Sequence, residues 1–228
     1  MEMLISVVIV THNRPDELKT CLESLKSQDL TNYAYEILVV DSSTTPETRK
    51  LIKTFSVKYI HTRHKGMTVA RNIGIKKARG EIIAFLDDDA RATANWISQL
   101  VKNYTTPKIG AVGGKIVEDR QVRKLHGDTQ IGKISKTGKL ISNFDRGTKR
   151  IETDHLKGTN MSYRKRILVE IGGFDNLYGG RAYREETDVC MRIKKRGYKI
   201  IYDPSAIVFH KRIGAKSSHA IKKNIWIE

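Results

Sequence analysis

Cysteine and proline are scarce in this chain of 228 residues, which has two of the first and four of the second. Cys21 and Cys190 each fall in a helix-like stretch and show no C-x-x-C spacing, which excludes a disulfide framework and a zinc site. Buried, reduced thiols are expected instead. Few prolines, together with 39% apolar and 7% aromatic residues, exclude a disordered or collagen-like chain. No stretch approaches the roughly 18 apolar residues that a membrane span needs. The opening Met1-Glu2-Met3-Leu4 has neither the basic region nor the cleavage site of a signal peptide, so a soluble cytoplasmic protein is expected. The glycine patterns of dinucleotide-binding and P-loop sites are also missing after any strand.

Negative charge is in the minority, with 25 Asp and Glu against 42 Lys and Arg, a net charge of +17. A balance of that kind first suggests nucleic acid, because a basic surface gains affinity by releasing counterions from phosphates. The distribution argues otherwise. Residues 190–228 hold ten Lys or Arg against two acids, while the acids cluster as Asp87-Asp88-Asp89 and as Glu185-Glu186 with Asp188. The number therefore does not decide the partner: the basic C-terminal tail can serve RNA, an anionic membrane surface or solubility alone, and no nucleic acid is expected by default.

What the chain does have is a regular alternation of apolar strands and amphipathic helices, the pattern of an α/β domain with a largely parallel sheet. Leu4 to Val10 is a nearly continuous apolar run, as expected of a strand buried on both faces. Pro15, Asp16 and Glu17 suit a helix start, and Leu18, Cys21, Leu22 and Leu25 lie on one helical face. Strands are expected at 37–40, 57–60 and 82–86, with helices running from Ser43 to about Phe55 and from Met67 to Ala78. Three apolar strands end in Thr11-His12-Asn13, in Asp41-Ser42-Ser43 and in Asp87-Asp88-Asp89, always at the carboxyl end, where ligands of open α/β sheets bind. Together they define an acidic cleft fit for a metal ion. The second half is less regular. A helical stripe at 96–104, a strand at 109–117, helices at 162–171 and 185–196, and two short strands around Pro204 are expected. Between them, 118–157 is a long polar excursion, read as a hairpin with mobile loops.

The aspartate run is the sharpest local feature, since Mg²⁺ and Mn²⁺ prefer carboxylate oxygens and keep positions open for substrate phosphates. An isolated Asp-x-Asp is more often a solvated turn, but here an apolar strand precedes it. Glu185 and Glu186 begin a helix, where the dipole favours the anion a general base needs, or where they simply complement that dipole. Arg71, inside a helix, can reach the sheet edge or be an exposed cation. His210 can be a surface residue or a metal ligand, and Asn160 or Ser162 can be a helix cap.

The segments Ser6 to Arg14, Val39 to Ser43, Ala70-Arg71-Asn72-Ile73-Gly74, Phe85 to Asp89, Gly158 to Ser162, Gly172 to Asp175 and Glu185 to Asp188 occur in the order seen in family 2 glycosyltransferases of the GT-A fold, which this chain resembles. The resemblance is close over 4–104, good over 158–212 and nearly absent over 118–157. It implies a Rossmann-like, mostly parallel central sheet flanked by helices, with a small C-terminal acceptor-side subregion. One domain over 1–228 would comprise a nucleotide-sugar-binding half, 1–104, and an acceptor-side half, 105–228, with the basic tail.

The activity implied is inverting transfer of a sugar from a nucleotide-diphospho sugar, a UDP-sugar ahead of a GDP-sugar, to a glycan or lipid-linked acceptor hydroxyl. On that resemblance Thr11, His12, Asn13, Arg14, Asp41, Arg71, Asp87 and Asp88 line the nucleotide-sugar site, with His12 where the family often has tyrosine. Asp87, Asp89 and His210 would hold Mn²⁺ or Mg²⁺, and Gly158, Thr159, Asn160 and Asp188 would lie on the acceptor side. Glu186 aligns with the catalytic carboxylate. The family pattern is commonly Glu-Asp, so Glu185 stands as the second candidate. Rival readings are a sugar-phosphate nucleotidyltransferase and a non-enzymatic RNA- or membrane-binding module. The tail could hold the enzyme peripherally at the membrane's cytoplasmic face.

Overall fold

The apolar run of Leu4 to Val10 becomes the strand on which the rest is built. A computed structural model describes residues 3–29, 33–64, 66–118, 130–178 and 182–211. The tail beyond Lys211 and the segment 119–129 of the expected excursion lie outside the described residues. Strand β1 (Met3–Thr11) pairs in parallel with β2 (Tyr33–Asp41) on one side and with β4 (Ile82–Asp87) on the other. Beyond β2 lies β3 (Lys58–His61), also parallel. Between these strands run helices α1 (Pro15–Leu25), α2 (Glu47–Ile52) and α3 (Met67–Lys77).

The chain then continues through β5 (Ala90–Ala92), α4 (Trp96–Val101), β6 (Ile109–Glu118), a small hairpin of β7 (Lys133–Ile134) and β8 (Leu140–Ile141), and β9 (Ile151–Glu152). It ends with β10 (Asn160–Arg164), α5 (Lys165–Glu170), α6 (Glu185–Lys195) and β11 (Lys199–His210). Nine strands form one sheet in the order β3-β2-β1-β4-β10-β6-β11-β5, with β9 added beside β11. The sheet is mixed but mostly parallel: β10, β5 and β9 run against the other six.

Successive strand residues face opposite sides, so one sheet makes two cores. Ile5, Val7 and Ile9 pack with Leu18, Cys21, Leu22 and Leu25 of α1 and with Trp96, Ile97 and Leu100 of α4. Val8 faces the other way, toward Ala70 and Ile75 of α3, Ile167 of α5 and Val189 and Ile193 of α6. Helix α3 lies close on β1 at Gly74, where a Cβ would come within 2.5 Å of Val8. Both cysteines are free and buried, as expected.

Two expectations fail in the second half. The helix anticipated over 162–171 starts only at Lys165, because the preceding residues form β10 and fill the gap between β4 and β6. Met161, Ser162 and Tyr163 are fully buried there, and their backbone groups are satisfied by ladder bonds on both sides. Asn160 and Ser162 are therefore not helix caps. The two short strands around Pro204 are a single strand, β11, whose register slips between Asp203 and Ile207 to accommodate a residue with no N–H to give. Helix α2 is also shorter than expected, confined to Glu47–Ile52 after Pro46.

Candidate active site

Pairing in register brings the polar strand ends together: Thr11 lies opposite Asp41, and Val10 opposite Asp87. Asp41 is buried, its carboxylate accepting the Ser43 N–H at 2.8 Å and the Tyr59 hydroxyl at 2.8 Å. Next to it, Asn13 adopts a left-handed backbone at φ 53°, and the exposed His12 ring lies 2.9 Å from the Ser42 carbonyl through Nδ1.

Within the aspartate triplet each carboxylate has its own surroundings. Asp88 turns inward, accepting from the Thr11 hydroxyl at 2.7 Å and from Arg14 at 3.0 Å. Burial pushes its carboxyl up to about 7 in spite of those two partners. Asp89 lies between Arg14 at 3.1 Å and His210 Nε2 at 3.2 Å, which together outweigh burial and keep its carboxyl below the ordinary range. The same contact, with Asp87 further off, raises the His210 imidazole against the effect of its burial. Asp87 accepts from the Thr159 hydroxyl at 2.7 Å.

Asp87, Asp89 and His210 each offer a ligand atom, and the three atoms lie within 4.8 Å of one another. His210 Nδ1 is buried without a hydrogen-bond partner. Two carboxylates and an imidazole are a fit donor set for a divalent cation. A cavity of about 360 Å³ opens over them, walled by Val8, Val10, Arg14, Met67, Arg71 and Phe85 among others.

The second carboxylate group arrives from α6. Its first residue, Glu185, is 3% exposed and pairs with Arg71 of α3, whose other terminal nitrogen is 3.5 Å from Asp87. Glu186 is less deeply placed, and its carboxyl is pushed up to about 8, by burial first and then by Glu185 beside it. Arg71 is thus no exposed helical cation, since it is 3% exposed and spans both acidic groups.

Of the acceptor-side candidates, Gly158 lies against Arg71 and Thr159 against Asp87, so both belong to the cluster. Asn160 instead ties the sheet together. It accepts from Trp96 Nε1 at 2.9 Å and gives both amide hydrogens to the carbonyls of Lys115 and Ala206. Asp188 is engaged by Arg192 at 2.6 Å, which also donates to the carbonyls of Ile171 and Gly173. Tyr59 escaped the sequence reading, because a single aromatic residue in a four-residue strand carries no signal of the carboxylate across from it.

An acidic, cation-ready edge at the carboxyl ends of parallel strands, faced by a carboxylate pair, coincides with a match to the family model described as "Glycosyl transferase family 2", over residues 6–172. The chain belongs to glycosyl transferase family 2. A curated family relative, the glucosyl-dolichyl phosphate glucuronosyltransferase of Haloferax volcanii, is 28% identical over 224 residues, covering 92% of this chain and 69% of its own. Among solved structures, the mannosyltransferase of Pyrobaculum calidifontis in complex with GDP-Man and Mn²⁺ superposes with a TM-score of 0.72 at 20% identity, covering 95% of this chain and 59% of that one. GalNAc-T7 with UDP, GalNAc and Mn²⁺ superposes with a TM-score of 0.74 at 21% identity, covering 92% and 44%. The chain thus spans about half the length of these solved neighbours, and the likeness establishes the shared GT-A fold. Membership of a glycosyltransferase family sets aside the nucleotidyltransferase and binding-module readings. No helix among the described residues is long and apolar enough to cross a membrane.

Proposed function

We propose that this glycosyltransferase moves a sugar from a nucleotide-diphospho donor to an acceptor hydroxyl by a single inverting displacement, with Glu186 as general base. The observation that carries the reading is the meeting of two acidic groups across one arginine: Asp87 with its neighbours on the strand ends, and Glu185 with Glu186 at the start of α6. His12, Asn13, Arg14 and Asp41 would surround the nucleoside end of the donor, with Asp88, itself held by the Thr11 hydroxyl, bracing Arg14.

Asp87, Asp89 and His210 would hold the cation, and the imidazole in the set favours Mn²⁺ over Mg²⁺. Bound there, such an ion would supply positive charge to offset that developing on the leaving diphosphate. The chain's own residues do the rest. Glu186, whose raised proton affinity suits a base working near neutral pH, accepts the hydroxyl proton as the acceptor oxygen attacks. Glu185 is committed to Arg71 and is therefore the poorer base. Gly158, against Arg71, and Thr159, bonded to Asp87, are assigned to the acceptor side.

UDP- and GDP-sugars are the expected donors and a glycan or lipid-linked alcohol the expected acceptor, with the basic tail resting on the membrane's cytoplasmic face. Thermal unfolding in Mn²⁺ with a panel of nucleotide sugars tests the donor site, because a ligand bound only by the folded state raises Tm. A stabilising donor that is then turned over to nucleoside diphosphate supports the reading. A panel in which none raises Tm contradicts it.

A further inference from the structure

Arg71 belongs to α3 in the donor half, yet its guanidinium is built into the acceptor half. It pairs with Glu185 on α6, stands 3.5 Å from Asp87 on β4, and its Cζ lies 5.3 Å from the Phe174 ring centre and 5.8 Å from that of Phe85. Gly158 leaves the space it occupies, because a Cβ there would come within 3.0 Å of Nη2. The neighbouring Asn72 clamps the backbone at Phe174, accepting its N–H at 2.9 Å and donating to its carbonyl at 2.8 Å. Two adjacent residues of one helix therefore fix both the backbone at Phe174 and the first residue of α6.

We infer that Arg71 is a positioning residue that couples the cation-binding carboxylates to the base: by bridging Asp87 and Glu185 it fixes the Glu185 carboxylate beside Glu186 and leaves Glu186 to take the acceptor proton. This rests on the reading of Glu186 as base. The groups that face Glu186 are Glu185 and Cys190 from its own helix, Arg71 from α3 and Tyr163 from β10. Arg71 is the one cation in that set among the described residues, so two substitutions should move Glu186 in opposite senses. Removing the Glu185 charge takes away a repelling anion and eases ionisation of Glu186. Removing the Arg71 charge takes away the cation that offsets two neighbouring carboxylates and makes ionisation harder. A role confined to packing predicts no such opposition.

The experiment is a titration of the full chain carrying ¹³C-labelled glutamate carboxyls, followed by NMR without metal or donor. The resonance lost in Glu186→Gln identifies the base. Its midpoint is expected to fall by about one unit or more in Glu185→Gln and to rise by a similar amount in Arg71→Met, with Arg71→Lys returning it toward the native value. Midpoints that stay in place in Glu185→Gln, or that move the same way in both variants, overturn the coupling. If Arg71→Met fails to fold, Arg71→Gln decides the matter: it keeps a polar side chain without the charge, so the midpoint must rise above native, and a midpoint at or below native overturns the coupling. The titration needs no turnover, so a negative result here is distinct from failure of the proposed transfer, which shows instead as an absence of donor binding and turnover.

Discussion

The proposed donor half, residues 1–104, and the proposed acceptor half build their parts of the cleft in different ways. In the donor half the chemistry sits where three adjacent parallel strands stop, so one structural device, repeated, supplies Thr11, Asp41 and Asp87 in register. In the acceptor half, Thr159 lies near the start of an antiparallel strand, Glu185 and Glu186 at a helix start and His210 at a strand end, with no shared device. The geometry of the proposed donor half follows from the sheet itself. Its counterpart depends on particular long-range contacts, above all Arg71 with Glu185 and Asn72 with Phe174.

If the two halves divide the labour in this way, substitutions should separate binding from chemistry. Asp89→Ala strikes the donor half, and transfer should fall roughly 10³-fold together with Mn²⁺-dependent binding of UDP or GDP measured by calorimetry. Unchanged metal-dependent binding would break the assignment of Asp89.

The pH profile probes the other half. As the proposed base, Glu186 has to be ionised, so kcat/KM should rise about tenfold per pH unit up to about 8 and then level off. Protonation of His210 also opposes activity on the acid side, but excess Mn²⁺ should relieve that limb and leave the Glu186 limb in place. Stability should show the opposite trend. A carboxyl raised from 4.5 to about 8 binds its proton more tightly in the folded state, so its contribution is full below 4.5 and is lost as pH rises through 8. Glu186→Gln should therefore melt higher than the native protein at pH 9, and an equal or lower Tm would count against the burial of that carboxyl.

Asn160→Ala sharpens the boundary between framework and site. It leaves the Trp96 indole and the carbonyls of Lys115 and Ala206 without their partner, and urea unfolding should register a loss of about 2 to 4 kcal/mol. His12→Ala, at an exposed ring, should weaken nucleotide binding only a few-fold, about 1 kcal/mol or less, and leave unfolding unchanged.

These contrasts also explain how much could be read from the residues alone. Strands β1, β2 and β4 were legible because each is an apolar run that ends abruptly in polar residues, and α1 because its four buried side chains follow the helical repeat. Strand β10 was not, since Ser162 to Ile171 reads as one continuous helix unless the gap between β4 and β6 is known. The partners of Arg71 were hidden for a similar reason. It and Glu185 are 114 residues apart, and nothing local to either tells that both are buried.

The central claim is that Glu186 takes the acceptor proton while the donor half binds independently of it. Glu186→Gln tests this most directly when transfer and Mn²⁺-dependent nucleotide binding are measured on the same preparation. The account predicts native affinity for the nucleotide with transfer lowered about 10²- to 10⁴-fold, whereas transfer at the native rate would contradict it.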